Sequence, residues 1–508
     1  MKGTIENRTF KSSIWGFLLF FISFIQNLAL VPLFLKYWGT QKYGIWLAII
    51  AIISIIKTID LGHQNYVGNE FNKYFYTDKN YSKSLLGSAF NICILLGIIE
   101  FLIFILFFYI LNPQKLLGIP VFLDLEGDYR NGLAFYVFIW SLFGSIGGLL
   151  VKIILPYGLY SKMTILTIIS KLSELIFLFI ATYFNWSLNF TFFYFALINL
   201  INILISFYFI KISASEFFPW WSNLNIKLGF SNLLKSIVFT FNAFIEQFNS
   251  SGIILIVSKT IGIIFLPLFS TLRTITNVLI QITSLVTNPL VPEVIRLHST
   301  NQKEKIIKII DTNWFIVSIL VIIPFYFSIP FIEYIFTLWL HHKINFNFPL
   351  YCFLALSVIF VNIGRMNFNY FYGINLIKPM LLITITRLLT TLLFSFCLVP
   401  YFGILSIGIA LFVSELFSSF ILPIVFFAKD LKINLYSMIG KIHLYGFLQI
   451  IILSFVFIVK CFNLHNFYYY YILFLFIILY LCYLQWKHLD LEIRLRFSHL
   501  SNKVFTKW

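Results

Sequence analysis

The sequence predicts an all-α polytopic membrane protein, and three observations carry that prediction. Of 508 residues, 60% are hydrophobic and 11% charged, whereas a soluble domain carries about 25% charged residues. Apolar runs of roughly 20 residues, the length that crosses a bilayer, recur almost to the end of the chain. Most Lys and Arg fall in the short links between these runs.

About fourteen transmembrane helices are expected on this spacing (twelve to fourteen). The first, near 12–35, follows Lys2, Arg8 and Lys11 and is too long for the apolar core of a signal peptide, so it is expected to stay as an anchor. The second, 44–69, begins at Tyr43-Gly44-Ile45-Trp46 and carries Lys57 and Asp60 within its apolar run. The third, 84–111, follows Lys73, Lys79 and Lys83; the fourth, 132–156, follows Arg130. The fifth, 163–184, carries Lys171 and Glu174, and their i,i+3 spacing suits a self-neutralising pair. The sixth, 188–210, runs up to Lys211, and the seventh, 231–257, carries Lys235 and Glu246. The eighth, 263–290, follows Gly262; the ninth, 312–336, follows Lys303, Lys305 and Lys308. The tenth, 349–373, carries Arg365, and the eleventh, 379–400, carries Arg387. The twelfth, 404–427, precedes Lys429 and Lys432, and the last pair, 443–461 and 467–485, lies between Lys441 and Lys487.

With the helices alternating, the Lys-rich links and both termini fall on one side, which the positive-inside bias assigns to the cytoplasm. The opposite links hold few basic residues, mainly Lys36, Lys42, Lys115, Arg130 and Lys343. The same bias accounts for the net charge of +17: no basic block suits nucleic acid. The longest outward link, Asn112–Arg130, is too short for a soluble domain.

The five cysteines, Cys93, Cys352, Cys397, Cys461 and Cys482, are isolated in sequence and suggest neither a disulfide framework nor a zinc site. No metal or organic cofactor is expected, and His341-His342 reads as a solvated turn.

A faint internal repeat relates Gly39 and the helix after it to Gly262 and the helix after it. The expected organisation is therefore two six-helix lobes, 1–210 and 231–428, joined by a cytoplasmic linker at 211–230. A helix pair at 443–485 and a basic tail at 486–508 follow. Both lobes would start from the cytoplasm as parallel repeats around a central cavity, an arrangement common in transporters.

Polar residues share faces at helical spacing. Lys57, Asp60 and Gln64 share one on the second helix, Asn242, Glu246 and Asn249 on the seventh, Arg273 and Asn277 on the eighth, Arg365 and Asn369 on the tenth. A charge within an apolar span requires a partner, water or a ligand. Arg273 and Arg365 have no acid three or four positions away, and Arg stays charged when buried. With Lys57, they are the expected cationic lining, and Arg387 is a further candidate that could instead support a neighbouring helix. Asp60 and Glu246 are candidates for coupling to a proton or Na⁺ gradient. Lys57 with Asp60 is also readable as an i,i+3 pair, and the Asn positions as helix–helix hydrogen bonds. Glu100 and Glu415 read as lone acids packed against other helices.

The second-helix block of Gly39, Tyr43-Gly44-Ile45-Trp46, Ser54, Asp60-Leu61-Gly62 and Asn69 resembles the bacterial polysaccharide (O-antigen) flippases. These belong to a superfamily that also holds multidrug and toxin extruders and lipid-II flippases. Asn288-Pro289-Leu290-Val291-Pro292-Glu293 resembles the corresponding helix end, and the general pattern extends to about residue 430. The resemblance implies a non-enzymatic, two-lobed flippase in the cytoplasmic (inner) membrane. Its cargo would be an undecaprenyl-pyrophosphate-linked oligosaccharide for O-antigen or other surface polysaccharide assembly. A polysaccharide polymerase and a chain-length regulator would be its partners. The pyrophosphate is a multivalent anion, which suits Lys57, Arg273 and Arg365. The competing readings are a drug or cation exporter of the same superfamily, a membrane-embedded polysaccharide polymerase, and a scaffold in an envelope assembly complex.

Overall fold

The computed structural model describes residues 2–110, 129–287, 290, 294, 297–298, 302–374, 376–434, 440–462, 467–491 and 493–494. The Asn288–Glu293 motif lies almost wholly outside these residues, as does most of the outward link before Arg130.

Every regular element among the described residues is helical. In chain order they are α1 (Lys2–Leu33), α2 (Gly39–Ile56), α3 (Thr58–Tyr74), α4 (Lys79–Ile110), α5 (Arg130–Ile153), α6 (Ser161–Tyr183), α7 (Leu188–Ser213), α8 (Ile226–Thr260), α9 (Ile263–Thr287), α10 (Lys303–Ser328), α11 (Ile332–Trp339), α12 (Phe348–Tyr372), α13 (Lys378–Phe402), α14 (Leu405–Leu431), α15 (Lys441–Cys461) and α16 (Phe467–His488).

Among the described residues thirteen helical stretches are long and apolar enough to cross a membrane. The first, Trp15–Ile56, has 42 residues, about 63 Å of straight helix at 1.5 Å per residue and twice a hydrocarbon core. It is not straight. Gly39 adopts φ +74°, and the Phe34 ring lies 6.3 Å from Trp46, whereas twelve residues of straight helix span about 18 Å. The chain folds back at Gly39, so this stretch makes two crossings, and every expected span has its counterpart.

The chain divides into two compact units, Met1–Pro267 and Leu268–Trp508. The lobe division expected from the repeat put 231–267 with the second lobe; by packing, this segment belongs with the first. The reason lies at Gly62: a Cβ there would lie 2.2 Å from the Thr240 backbone nitrogen. Only glycine lets α3 and α8 approach so closely, and the two helices pack along their length.

Within the first unit, α1 packs on α6, α5 on α7, and α3 on α4 and α5. Tyr43 stacks on Phe34 at 5.0 Å and Trp46 on Phe192 at 4.9 Å, and both are buried. The Tyr43–Trp46 block is thus a packing element. Within the second unit, α12 is the most enclosed helix. Gly364 on it admits the Ser419 carbonyl of α14, which a Cβ would meet at 1.7 Å. The last pair is integral to this unit. Gln485 donates to the Ile442 carbonyl at 3.0 Å and Gln449 to Ile478 at 3.3 Å, Gly446 packs against Trp314, and Lys308 pairs with Asp490 at 2.8 Å.

Wide turns, with one residue more than an α-turn, interrupt several spans: Phe34–Trp38, Leu106–Ile110, Trp140–Gly144, Phe248–Gly252, Ser318–Ile322 and Leu416–Ile421. Such turns are frequent at functional sites.

Candidate functional site

In the first unit the helix is broken at Lys57, between α2 and α3. The Lys57 amine turns to α5: it donates to the Tyr136 hydroxyl at 3.2 Å and lies 4.6 Å from the Trp140 ring centroid. Asp60, 1% exposed, accepts instead from Gln64 Nε2 at 2.6 Å, and the same amide reaches the Ser145 carbonyl at 3.2 Å. The i,i+3 spacing therefore does not make Lys57 and Asp60 a hydrogen-bonded pair. The amine lies against an aromatic wall, and a cation over an aromatic face gains about 0.5–2 kcal/mol.

Beside this group lies Glu100 of α4. It is 0% exposed, lies against the Asp60 backbone, and interacts electrostatically with Asp60 and Lys57. The sequence signal was visible, an acid in an apolar helix, but its proximity to Asp60 was not. His63, also 0% exposed, faces Ser236 Oγ of α8 at 3.4 Å. On α8, Asn242 Oδ1 and both amide atoms of Asn249 are shut from solvent without a partner. Glu246 is half-buried on the same helix and engaged with other groups.

In the second unit, Arg387 is held. Its Nε lies 3.2 Å from Glu415 Oε1 and donates to Ser418 Oγ at 3.2 Å, while Nη2 donates to Ser419 Oγ at 2.9 Å. Ser419 donates to Glu415 Oε2 at 2.5 Å. Glu415, Ser418 and Ser419 flank or occupy the wide turn of α14, so this arginine ties α13 to α14. Arg273 lies over the Phe269 ring at 5.8 Å and within electrostatic reach of Glu415. Glu415, which the sequence left as a lone acid, thus serves two arginines.

Arg365 is different. Its Nη1 donates to the Ile280 carbonyl of α9 at 3.0 Å, and among the described residues no carboxylate pairs with it. Asn277 and Asn369 are half-buried on α9 and α12. Close by, Thr283 donates to Asn362 Oδ1, and Asn313 Nδ2 donates to the Asn362 and Ile363 carbonyls at 3.3 and 3.2 Å. This network ties α9, α10 and α12 together around the arginine's turn.

Lys171 and Glu174 pair at 2.8 Å, as their spacing predicts. His341 and His342 are exposed and adopt φ +49° and +59° in a turn. Among the described residues no group of three or more His, Cys, Asp or Glu side chains could hold a metal ion.

No family model and no curated protein matches the sequence. Solved structures do match the fold. A multidrug resistance MATE family transporter of the MOP superfamily, inward-facing, superposes with a TM-score of 0.61 at 12% identity over 80% of this chain and 94% of its own. The Vibrio cholerae MATE transporter VcmN in its bent form gives 0.56 at 14% identity over 86% and 98%. The lipid II flippase MurJ, inward closed, gives 0.60 at 15% identity over 97% and 99%. An overlap of 97% leaves too few residues out to omit α15 and α16. The chain is a multi-pass, all-helical membrane protein with the fold of MATE transporters and the lipid II flippase MurJ.

Proposed function

We propose that the protein is a lipid-headgroup flippase. It moves an undecaprenyl-pyrophosphate-linked oligosaccharide across the cytoplasmic membrane by alternating access, for O-antigen or another surface polysaccharide. The observation that carries the reading is Arg365: a guanidinium inside an apolar span, half-buried, bonded to a main-chain carbonyl and matched by no described carboxylate. A permanently charged group so placed favours an anionic ligand, and a pyrophosphate offers the bidentate oxygens that guanidinium recognises. Arg273 and Lys57 are proposed as further headgroup contacts. The 97% overlap with a lipid II flippase supports a lipid-linked cargo. The headgroup's neighbours in the pathway, a polymerase and a chain-length regulator, are the expected partners.

Asp60 is assigned ion coupling, now together with Glu100; Glu246 remains a second coupling candidate. A fully buried carboxyl beside a second acid is costly as an anion, so Glu100 suits a group that carries a proton for part of the cycle. The same two acids favour the second reading, an exporter of organic cations.

A strain lacking the protein, complemented with variants, separates the two. The flippase reading requires that lipid-linked repeat units accumulate on the inner leaflet and that Arg365→Ala fails to restore surface polysaccharide. Full restoration by Arg365→Ala, Arg273→Ala and Lys57→Ala would remove it. Loss of organic-cation resistance with normal polysaccharide would favour the exporter.

A further inference from the structure

Cys352 and Cys461, far apart in sequence and unpaired in the sequence reading, meet in the second unit. Cys352 lies in the second turn of α12 and Cys461 closes α15. The two helix ends pack together: the Phe348 and Tyr351 rings lie 6.1 and 6.4 Å from Phe457, and the Lys460 amine lies 4.6 Å from the Phe348 centroid. At this junction the Cys352 and Cys461 side chains interact with each other. Cys352 is 5% exposed and Cys461 is half-buried, so the pair has one reachable member and one sheltered member. Lys460 donates to the Ile329 carbonyl and lies within electrostatic reach of both sulfurs. A cation beside a thiol stabilises the thiolate, which is the reacting form. Of the five cysteines, these two alone have each other as a neighbour.

We propose that Cys352 and Cys461 are a redox-active dithiol whose disulfide fastens the last helix pair to α12. The oxidant is a disulfide, from a small molecule or an oxidase protein. The Cys461 thiolate attacks one oxidant sulfur, forming a mixed disulfide and expelling the other sulfur as a thiolate. Cys352 then loses its proton, attacks Cys461 Sγ and expels the second oxidant sulfur. Two protein thiols become one disulfide, and the oxidant takes two electrons and two protons to become two thiols. Three alternating crossings separate the start of α12 from the start of α15, so the start of α12 and the end of α15 share a membrane face. The charge bias of the links makes it the outer face, where disulfides persist.

The test uses the full-length protein in bilayers, treated with oxidised glutathione, denatured, and alkylated with a maleimide-polymer that shifts each free thiol on a gel. The wild type is expected to lose two of its five reactive thiols, to recover them with dithiothreitol, and to yield a peptide linked through Cys352 and Cys461. Cys461→Ser and Cys352→Ser are each expected to abolish the linked species, and Cys397→Ser to leave it intact. The wild-type peptide map and the half-exposed Cys461→Ser decide the matter even where Cys352→Ser does not fold. Retention of all five thiols while a control dithiol peptide is oxidised overturns the proposal. So does loss of two thiols that persists in Cys461→Ser. Neither outcome depends on the transported substrate.

Discussion

Arg387 offers a test that separates a fastening arginine from a substrate-binding one. Truncating Glu415 to Ala takes the carboxylate from a guanidinium that is 15% exposed and leaves it the Ser418 and Ser419 hydroxyls. It removes the ion pair at 3.2 Å and the Ser419 bond at 2.5 Å. Hydrogen bonds to charged groups are worth about 1.5–3 kcal/mol each, and breaking one side of a buried pair costs about 3–5 kcal/mol. Glu415→Ala is therefore expected to lose about 3–5 kcal/mol. Arg387→Ala is expected to lose somewhat less, because Ser419 still satisfies Glu415. Neighbouring sites couple by about 0.5–3 kcal/mol, and the double variant should fall short of the sum by about 2 kcal/mol. Denaturant unfolding in detergent measures the cycle, and surface polysaccharide measures function alongside. If the two losses add within about 0.5 kcal/mol, the pair does not fasten α13 to α14. If Arg387→Ala abolishes polysaccharide at unchanged stability, Arg387 contacts the cargo.

Arg365→Gln is expected to keep normal membrane levels while transport falls by roughly ten- to hundred-fold, the equivalent of one charge-assisted bond; flipping in vesicles measures it, and an unchanged rate counts against the headgroup role. Glu100→Gln is expected to fold, since the amide keeps the shape and a carbonyl acceptor, and to flatten the dependence of transport on an imposed pH gradient; an undiminished dependence assigns coupling elsewhere. Gly62→Val should fail to accumulate, because its side chain meets the Thr240 backbone, and even Ala should cost about 1–3 kcal/mol by overpacking, read from the unfolding midpoint. In the links, Lys79 and the Tyr157 hydroxyl hold the Glu216 carboxyl below its ordinary range, while burial and Glu216 push the Tyr157 phenol upward. A lowered carboxyl stabilises the fold fully above its unfolded value, about 4.3, and loses that contribution as pH falls through the lower folded value. Both ion-pair members are exposed, 63% and 38%, so Glu216→Gln should remove only a few tenths of a kcal/mol of acid-dependent stability.

The crossings were legible because each requires only a local property, a run of apolar residues bounded by charge or glycine. Gly39 was legible as a boundary for the same reason, and its positive φ supplies the cause. Partners were not legible, because helical spacing reports only the residues that share one helix. Lys57 and Asp60 looked like a pair at i,i+3, yet the amine goes to Tyr136 and Trp140 on another helix. Glu415 looked solitary for the converse reason, its arginines lying on α9 and α13. The lobe boundary was expected from a period along the chain, whereas close approaches between helices, such as Gly62 on Thr240, carry no periodic signal. Cys352 and Cys461 were invisible as a pair, since nothing in either helix's own pattern specifies its neighbour.

The wide turn at Leu416–Ile421 has a consequence for the kind of mutation this protein tolerates. One extra residue in a turn shifts the phase of everything beyond it by about 100°. Ser414 and Glu415 before the turn and Ser418 and Ser419 within it all address the same arginine segment, through the Arg387 carbonyl and side chain. Deleting a single residue here would restore an ordinary helix and rotate the lower half of α14 away from that arginine, although no contacting side chain had been changed. At such positions length carries information in its own right, and a one-residue deletion is a deeper lesion than a substitution of the leucine or phenylalanine that opens the turn.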